Sequence, residues 1–124
     1  MLDSQARIMA FVATTRPESA LGFYRDVLGL RLLEDSPFAL VFDSHDIMLR
    51  VQKVKSLTPH MHTSLGWTVS DIRHTISELQ QKGVEFQRYP GLQQDTYGVW
   101  VSPAGARVAW FKDPDGNILS LTQF

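Results

Sequence analysis

Trp110-Phe111-Lys112-Asp113-Pro114-Asp115-Gly116-Asn117-Ile118-Leu119-Ser120-Leu121-Thr122-Gln123 sets two apolar runs on either side of Asp-Pro-Asp-Gly-Asn. That polar cluster has what a reversing loop needs: a fixed φ at Pro114, side-chain turn bonds from the aspartates and a left-handed conformation open to Gly116. The segment therefore predicts a hairpin. Its returning strand alternates, with Leu119 and Leu121 on one face and Ile118, Ser120 and Thr122 on the other. One face belongs on a core and the other looks at something more polar, and a strand this apolar belongs inside a sheet.

Working outward, the 124 residues are 44% hydrophobic and 20% charged, as expected of one ordinary globular domain. A net charge of -1 gives no electrostatic reason to expect nucleic acid or an anionic membrane as partner. The absence of cysteine excludes disulfides, thiolate metal sites and cysteine nucleophiles. No segment approaches the ~20 apolar residues of a membrane span and no secretory leader is evident, so a cytoplasmic location is the default expectation.

The same unit occurs twice along the chain. Residues 7–14 read as a strand, Pro17 starts a helix that runs through Leu28, and Gly29 ends it in a left-handed conformation. Strands are predicted at 30–33, 38–42 and 47–52, with Asp43-Ser44-His45-Asp46 as the last turn. In the third, Met48, Arg50 and Gln52 share one face. The stretch 54–63, which contains Thr58-Pro59, reads as a linker. The second unit opens with a strand at 64–69 and a helix capped by Ser70-Asp71 and closed by Lys82-Gly83. It continues with strands at 84–89 and 99–102, a polar loop between them, and the terminal hairpin. The chain is thus read as one domain of two modules, about 6–53 and 62–124. Neither half has an obvious way to cover both faces of its sheet alone.

Phe23–Leu30 (FYRDVLGL), Ser64–Ile72 (SLGWTVSDI), Lys82–Phe86 (KGVEF) and Phe111–Leu121 (FKDPDGNILSL) resemble the vicinal oxygen chelate superfamily, which includes glyoxalase I, bleomycin-resistance proteins and extradiol dioxygenases. The resemblance implies an α+β fold in which two βαβββ modules pair into a U-shaped, cleft-forming mixed sheet with helices outside. It also implies a homodimer. Enzymes of this kind chelate a divalent metal through inward-facing His, Gln or Glu side chains on the first and last strand of each module. The matched motifs put those positions at Met9, Arg50, Ser64 and Ser120. A thioether is too soft for magnesium or manganese, neutral hydroxyls bind weakly, and a guanidinium repels a cation.

Two functional expectations follow. The first is a binding protein without a metal or other cofactor, taking a small organic ligand that is anionic or carbonyl-bearing. Met9, Phe11, Arg50, Gln52, Ser64, Arg107 and Ser120 would line the cleft, with Tyr97 and Trp100 on a polar loop that is either a lid or a longer surface hairpin. The second is a glyoxalase-like lyase or isomerase, or a dioxygenase-type enzyme, that uses Arg50 as electrophile or holds a divalent metal at a displaced site. Whether Arg50 meets a ligand or a carboxylate of its own chain stays open at this level. His60 and His62 read as surface-loop residues, and Asp113 and Asp115 as turn formers rather than an acid-base pair.

Overall fold

In each half of the chain, strand alternation and one amphipathic helix produce a four-stranded sheet covered on one face. The computed structural model describes residues Met1–Phe124. Its contacts divide the chain into two compact units, Met1–Leu57 and Thr58–Phe124. The fold is α+β and each unit is a βαβββ module.

The first module runs β1 (Met9–Thr14), α1 (Pro17–Leu21), β2 (Arg31–Asp35), β3 (Ala39–Ser44) and β4 (Ile47–Lys53). Its sheet order is β1-β4-β3-β2, with β1 parallel to β4 and the other neighbours antiparallel. Leu40, Phe42, Leu49 and Val51 are buried on the helix side, where the Tyr24 ring lies 5.9 Å from that of Phe42. His45 and Asp46 take positive φ at the tip of the β3–β4 hairpin, the two-residue turn whose twist suits paired strands. The onset of β3 falls one residue later than predicted because the Ser36 hydroxyl accepts the Phe38 and Ala39 N–H groups and holds them in a turn.

The predicted first helix is present but changes character. After one α-helical turn it continues as a π-helix, Gly22–Val27. The Leu28 N–H then donates to the Phe23 carbonyl (2.9 Å), one residue further back than an α-helix allows. Gly29 ends it at φ +76, as the sequence predicts.

The second module runs β5 (Thr63–Thr68), α2 (Ile72–Gln81), β6 (Trp100–Val101), β7 (Arg107–Lys112) and β8 (Ile118–Gln123), in the order β5-β8-β7-β6. The terminal strand is interior, as its apolar content requires. Asp71 caps α2 by accepting the His74 N–H (3.1 Å). Ile72, Ile76 and Leu79 bury the inner stripe of the helix, and the Gln123 side chain accepts the Ile72 N–H (2.9 Å). That bond fixes Leu119, Leu121 and Gln123 as the helix side of β8. In the β7–β8 loop the buried Asp113 carboxylate accepts the Asp115 and Asn117 N–H groups and the Asn117 side-chain amide. Asp113 thus holds the turn closed.

One predicted strand is corrected. Residues 84–89 form only a single bridge, Phe86 to Phe111, beside a Gln87 N–H bond to the Trp110 carbonyl (2.8 Å). The backbone groups a longer ladder would use are taken by the Gln94 amide, which accepts the Tyr89 N–H (2.9 Å) and donates to the carbonyls of Gln87 (2.9 Å) and Gly98 (2.8 Å). Further along the same edge of β7, Trp100 and Val101 pair with Val108 and Arg107. The outer strand of this sheet is split in two by the intervening loop.

Candidate functional site

The open face of the first sheet is set by β4. Leu49 and Val51 turn to the helix, so Met48, Arg50 and Gln52 turn the other way. Phe11 stands opposite Arg50 on β1 and Val41 opposite it on β3, while Met9 stands opposite Met48. Arg50 is half-buried. Its side chain makes no hydrogen bond or ion pair. The other arginines nearby are engaged: Arg7 donates to the Asp46 carbonyl (3.1 Å) and Arg31 lies 3.5 Å from Asp43. At the end of this face, Ile8, Met9, Leu33 and Met48, with Arg7, Asp43 and Asp46, line a hollow of about 290 Å³. A larger hollow of about 540 Å³ lies on the helix side, beside Arg16, Glu18, Asp35 and Lys53. There the Lys53 ammonium is already bonded to Asp35 (2.6 Å).

The open face of the second sheet is aromatic. Gly66 on β5 stands opposite Ser120, and Trp110 on β7 stands on the other side of that serine. A Cβ at Gly66 would collide with the Ser120 Oγ, so only glycine lets this hydroxyl lie across β5. The Trp110 indole N–H donates to Thr63 Oγ1 (3.2 Å). Its ring lies 6.1 Å from Trp100 at 34° and takes Tyr89 edge-on at 5.6 Å. Burial pushes the Tyr89 phenol above its ordinary pKa, so it stays neutral across the physiological range.

The predicted site residues divide between these faces and elsewhere. Met9, Phe11, Arg50 and Gln52 come together on the first sheet. Ser120 and Trp100 lie on the open face of the second, and Ser64 is exposed where the β5–β8 register slips between Thr63 and Leu65. One residue is corrected. Arg107 pairs with Gln123 and falls on the side of Ala109 and Phe111, away from Ser120. It is an odd number of residues from Trp110, and strand alternation sends it to the opposite face. Tyr97 lies beneath the Arg73 guanidinium of α2, 5.7 Å from its ring centre, and Arg73 also lines a hollow of about 440 Å³ with Gln94, Asp95 and Trp100. The loop that carries it is stitched to itself: Arg88 donates to the carbonyls of Asp95 (2.6 Å) and Thr96 (2.9 Å), and Asp95 accepts the Tyr97 and Val99 N–H groups. Met48, placed on the Arg50 face by the sequence but not named there as a site residue, and Tyr89 and Trp110 also face these sites. For Met48 and Trp110, parity with Arg50 and Ser120 was the available signal.

The four positions aligned with metal ligands do not fit a divalent cation. Met9, Arg50, Ser64 and Ser120 offer neither imidazole nor carboxylate, and nowhere do three His, Cys, Asp or Glu side chains converge. His60 and His62 stack at 4.8 Å in the linker and are exposed.

Residues 5–121 match the model of the glyoxalase/bleomycin resistance protein/dioxygenase superfamily. The chain is 27% identical to the uncharacterized protein YraH of Bacillus subtilis, over 84% of this chain and 87% of that one. Among solved structures it is similar to a lactoylglutathione lyase from Agrobacterium tumefaciens (15% identity, TM-score 0.74, 98% and 95% of the two chains). It is also similar to a glyoxalase family protein from Enterococcus faecalis (18% identity, TM-score 0.74, 96% and 98%). At these identities the structural likeness concerns the fold alone.

Proposed function

Because the chain belongs to the glyoxalase/bleomycin resistance protein/dioxygenase superfamily, whose members share an architecture and not one chemistry, we propose that it binds a small organic anion without chelating it through a metal. The observation that carries this reading is Arg50, a half-buried residue whose guanidinium has no partner from its own chain. Partial burial strips water from a charge, and the cost is recovered only when an anion takes the place of that water. The guanidinium fork suits a carboxylate in two-point contact. Phe11 and Val41, opposite Arg50 on the neighbouring strands, and Met48 flank it with apolar surface; a ligand that covers this surface would displace water from it and strengthen such a bond. Gln52, two residues along the strand, adds a neutral donor and acceptor.

In this reading Arg50 holds a ligand and is assigned no step of bond making. Calorimetric titration of a panel of small carboxylates and phosphates against the parent protein and Arg50→Met tests it. Charge-assisted hydrogen bonds contribute about 1.5–3 kcal/mol, so the variant is expected to lose roughly 10- to 100-fold in affinity. Equal binding by both proteins, or a stoichiometric transition metal held by the purified parent, overturns the proposal.

A further inference from the structure

We infer that the ligand of the first module is an amphiphilic monocarboxylate, with its head on Arg50 and an uncharged hydrocarbon body laid along Met48, Met9 and Leu33. The inference rests on the reading of Arg50 as an anion anchor and adds the number of charges and the shape of the remainder.

The charge count comes from the face itself. Arg7 and Arg31 are engaged, which leaves one unpartnered cation. Asp43 stands opposite Met48 in the register, and Glu34 stands opposite Val41. The strand spacing puts Glu34 two strands away from Arg50, roughly 10 Å. A ligand with one negative charge is matched by the guanidinium. A second negative group, whether on the same head or at the far end of the molecule, meets carboxylates and no free cation.

The shape comes from the apolar strip. Met48 lies two residues from Arg50 along β4, roughly 7 Å, and Met9 lies directly across from Met48. Ile8 and Leu33 then close the hollow of about 290 Å³. These are large apolar side chains left open to solvent: Met9 is 45% exposed, Leu33 47% and Ile8 77%. An exposed apolar strip that begins at a lone cation is the complement of an acid with a hydrocarbon tail. Methionine adapts its rotamers to chains of differing shape.

The test is a calorimetric series of butanoate, hexanoate and octanoate, with octyl phosphate, octanedioate and octanol as controls. Each buried methylene is expected to tighten binding about fourfold. Octyl phosphate, octanedioate and octanol are expected to bind at least tenfold more weakly than octanoate. Leu33→Ser is expected to weaken octanoate by a larger factor than butanoate, with circular dichroism confirming that the variant is folded. Carboxylate binding that is lost in Arg50→Met but independent of chain length overturns this inference and leaves the anion reading standing. So does octanoate binding unchanged in Leu33→Ser. No carboxylate binding, or equal binding in Arg50→Met, removes both.

Discussion

Gly66 and Ser120 show how one missing carbon shapes a face. Gly66 has no need of glycine's conformational freedom, since its backbone is ordinary strand, but a methyl group there runs into the Ser120 Oγ. Gly66→Ala is expected to cost about 1–3 kcal/mol of stability by overpacking, read as a lower urea midpoint at unchanged slope. Ser120→Ala in the same protein should restore most of it, because the serine Cβ itself is at an ordinary 3.7 Å. If the double variant is no more stable than the single one, the collision is not the cause. At this scale the sequence carried parity and little else. The shared face of Met48, Arg50 and Gln52 followed from alternation in β4, whereas Arg107 was misplaced by treating its strand as a whole instead of counting along it. Tyr97 was out of reach, since its position depends on Arg73 of a helix more than twenty residues earlier.

Among the elements, the loop between Tyr89 and Trp100 departs most from expectation. Pattern predicted a strand at 84–89 because Val84, Phe86 and Tyr89 are strand-forming residues. Its backbone partners come from a side chain instead, and hydrophobic periodicity does not record that. Gln94→Ala removes three hydrogen bonds from partly buried carbonyl and N–H groups. A loss of about 1–3 kcal/mol and faster amide exchange at Tyr89 are expected, and unchanged exchange would show the loop is held by something else. Asp95 anchors the same loop. Burial alone would raise its carboxyl pKa, but the Val99 and Tyr97 N–H groups and the Arg73 guanidinium outweigh it and hold it below the usual range. Because the folded value is lowered, the stability this group contributes is present above the ordinary carboxylate pKa of about 4 and is lost as pH falls through the lowered value. Asp95→Asn should therefore show a shallower loss of urea stability between pH 5 and pH 3 than the parent.

For the whole molecule, the duplication of a strand, helix and three strands was legible from turn residues and apolar spacing, because each module repeats the same local rules. The π-helical continuation of α1 was not, since apolar steps of three and four residues read as an α-helix and only the hydrogen bonds, such as Leu28 N–H to the Phe23 carbonyl, reveal the widened turn. No helix is long and apolar enough to cross a membrane. Association of two copies, which the resemblance implies, is a separate proposal. Light scattering is expected to give twice the chain mass of 14.1 kDa, and a monomer at micromolar concentration would remove it.

The divided outer strand of the second module also bears on solubility. A growing aggregate recruits chains along long, flat, uncharged strand margins. Here that margin offers only Trp100 and Val101 in regular pairing before the backbone turns away. The corresponding margin of the first module, β2, is bulged at Leu33 and carries Arg31, Glu34 and Asp35. The β6 and β2 margins, two of the four in the two sheets, are thus poor templates for an incoming peptide, and the oily strip of Ile8, Met9 and Leu33 stays exposed without fibril growth being invited along either of them.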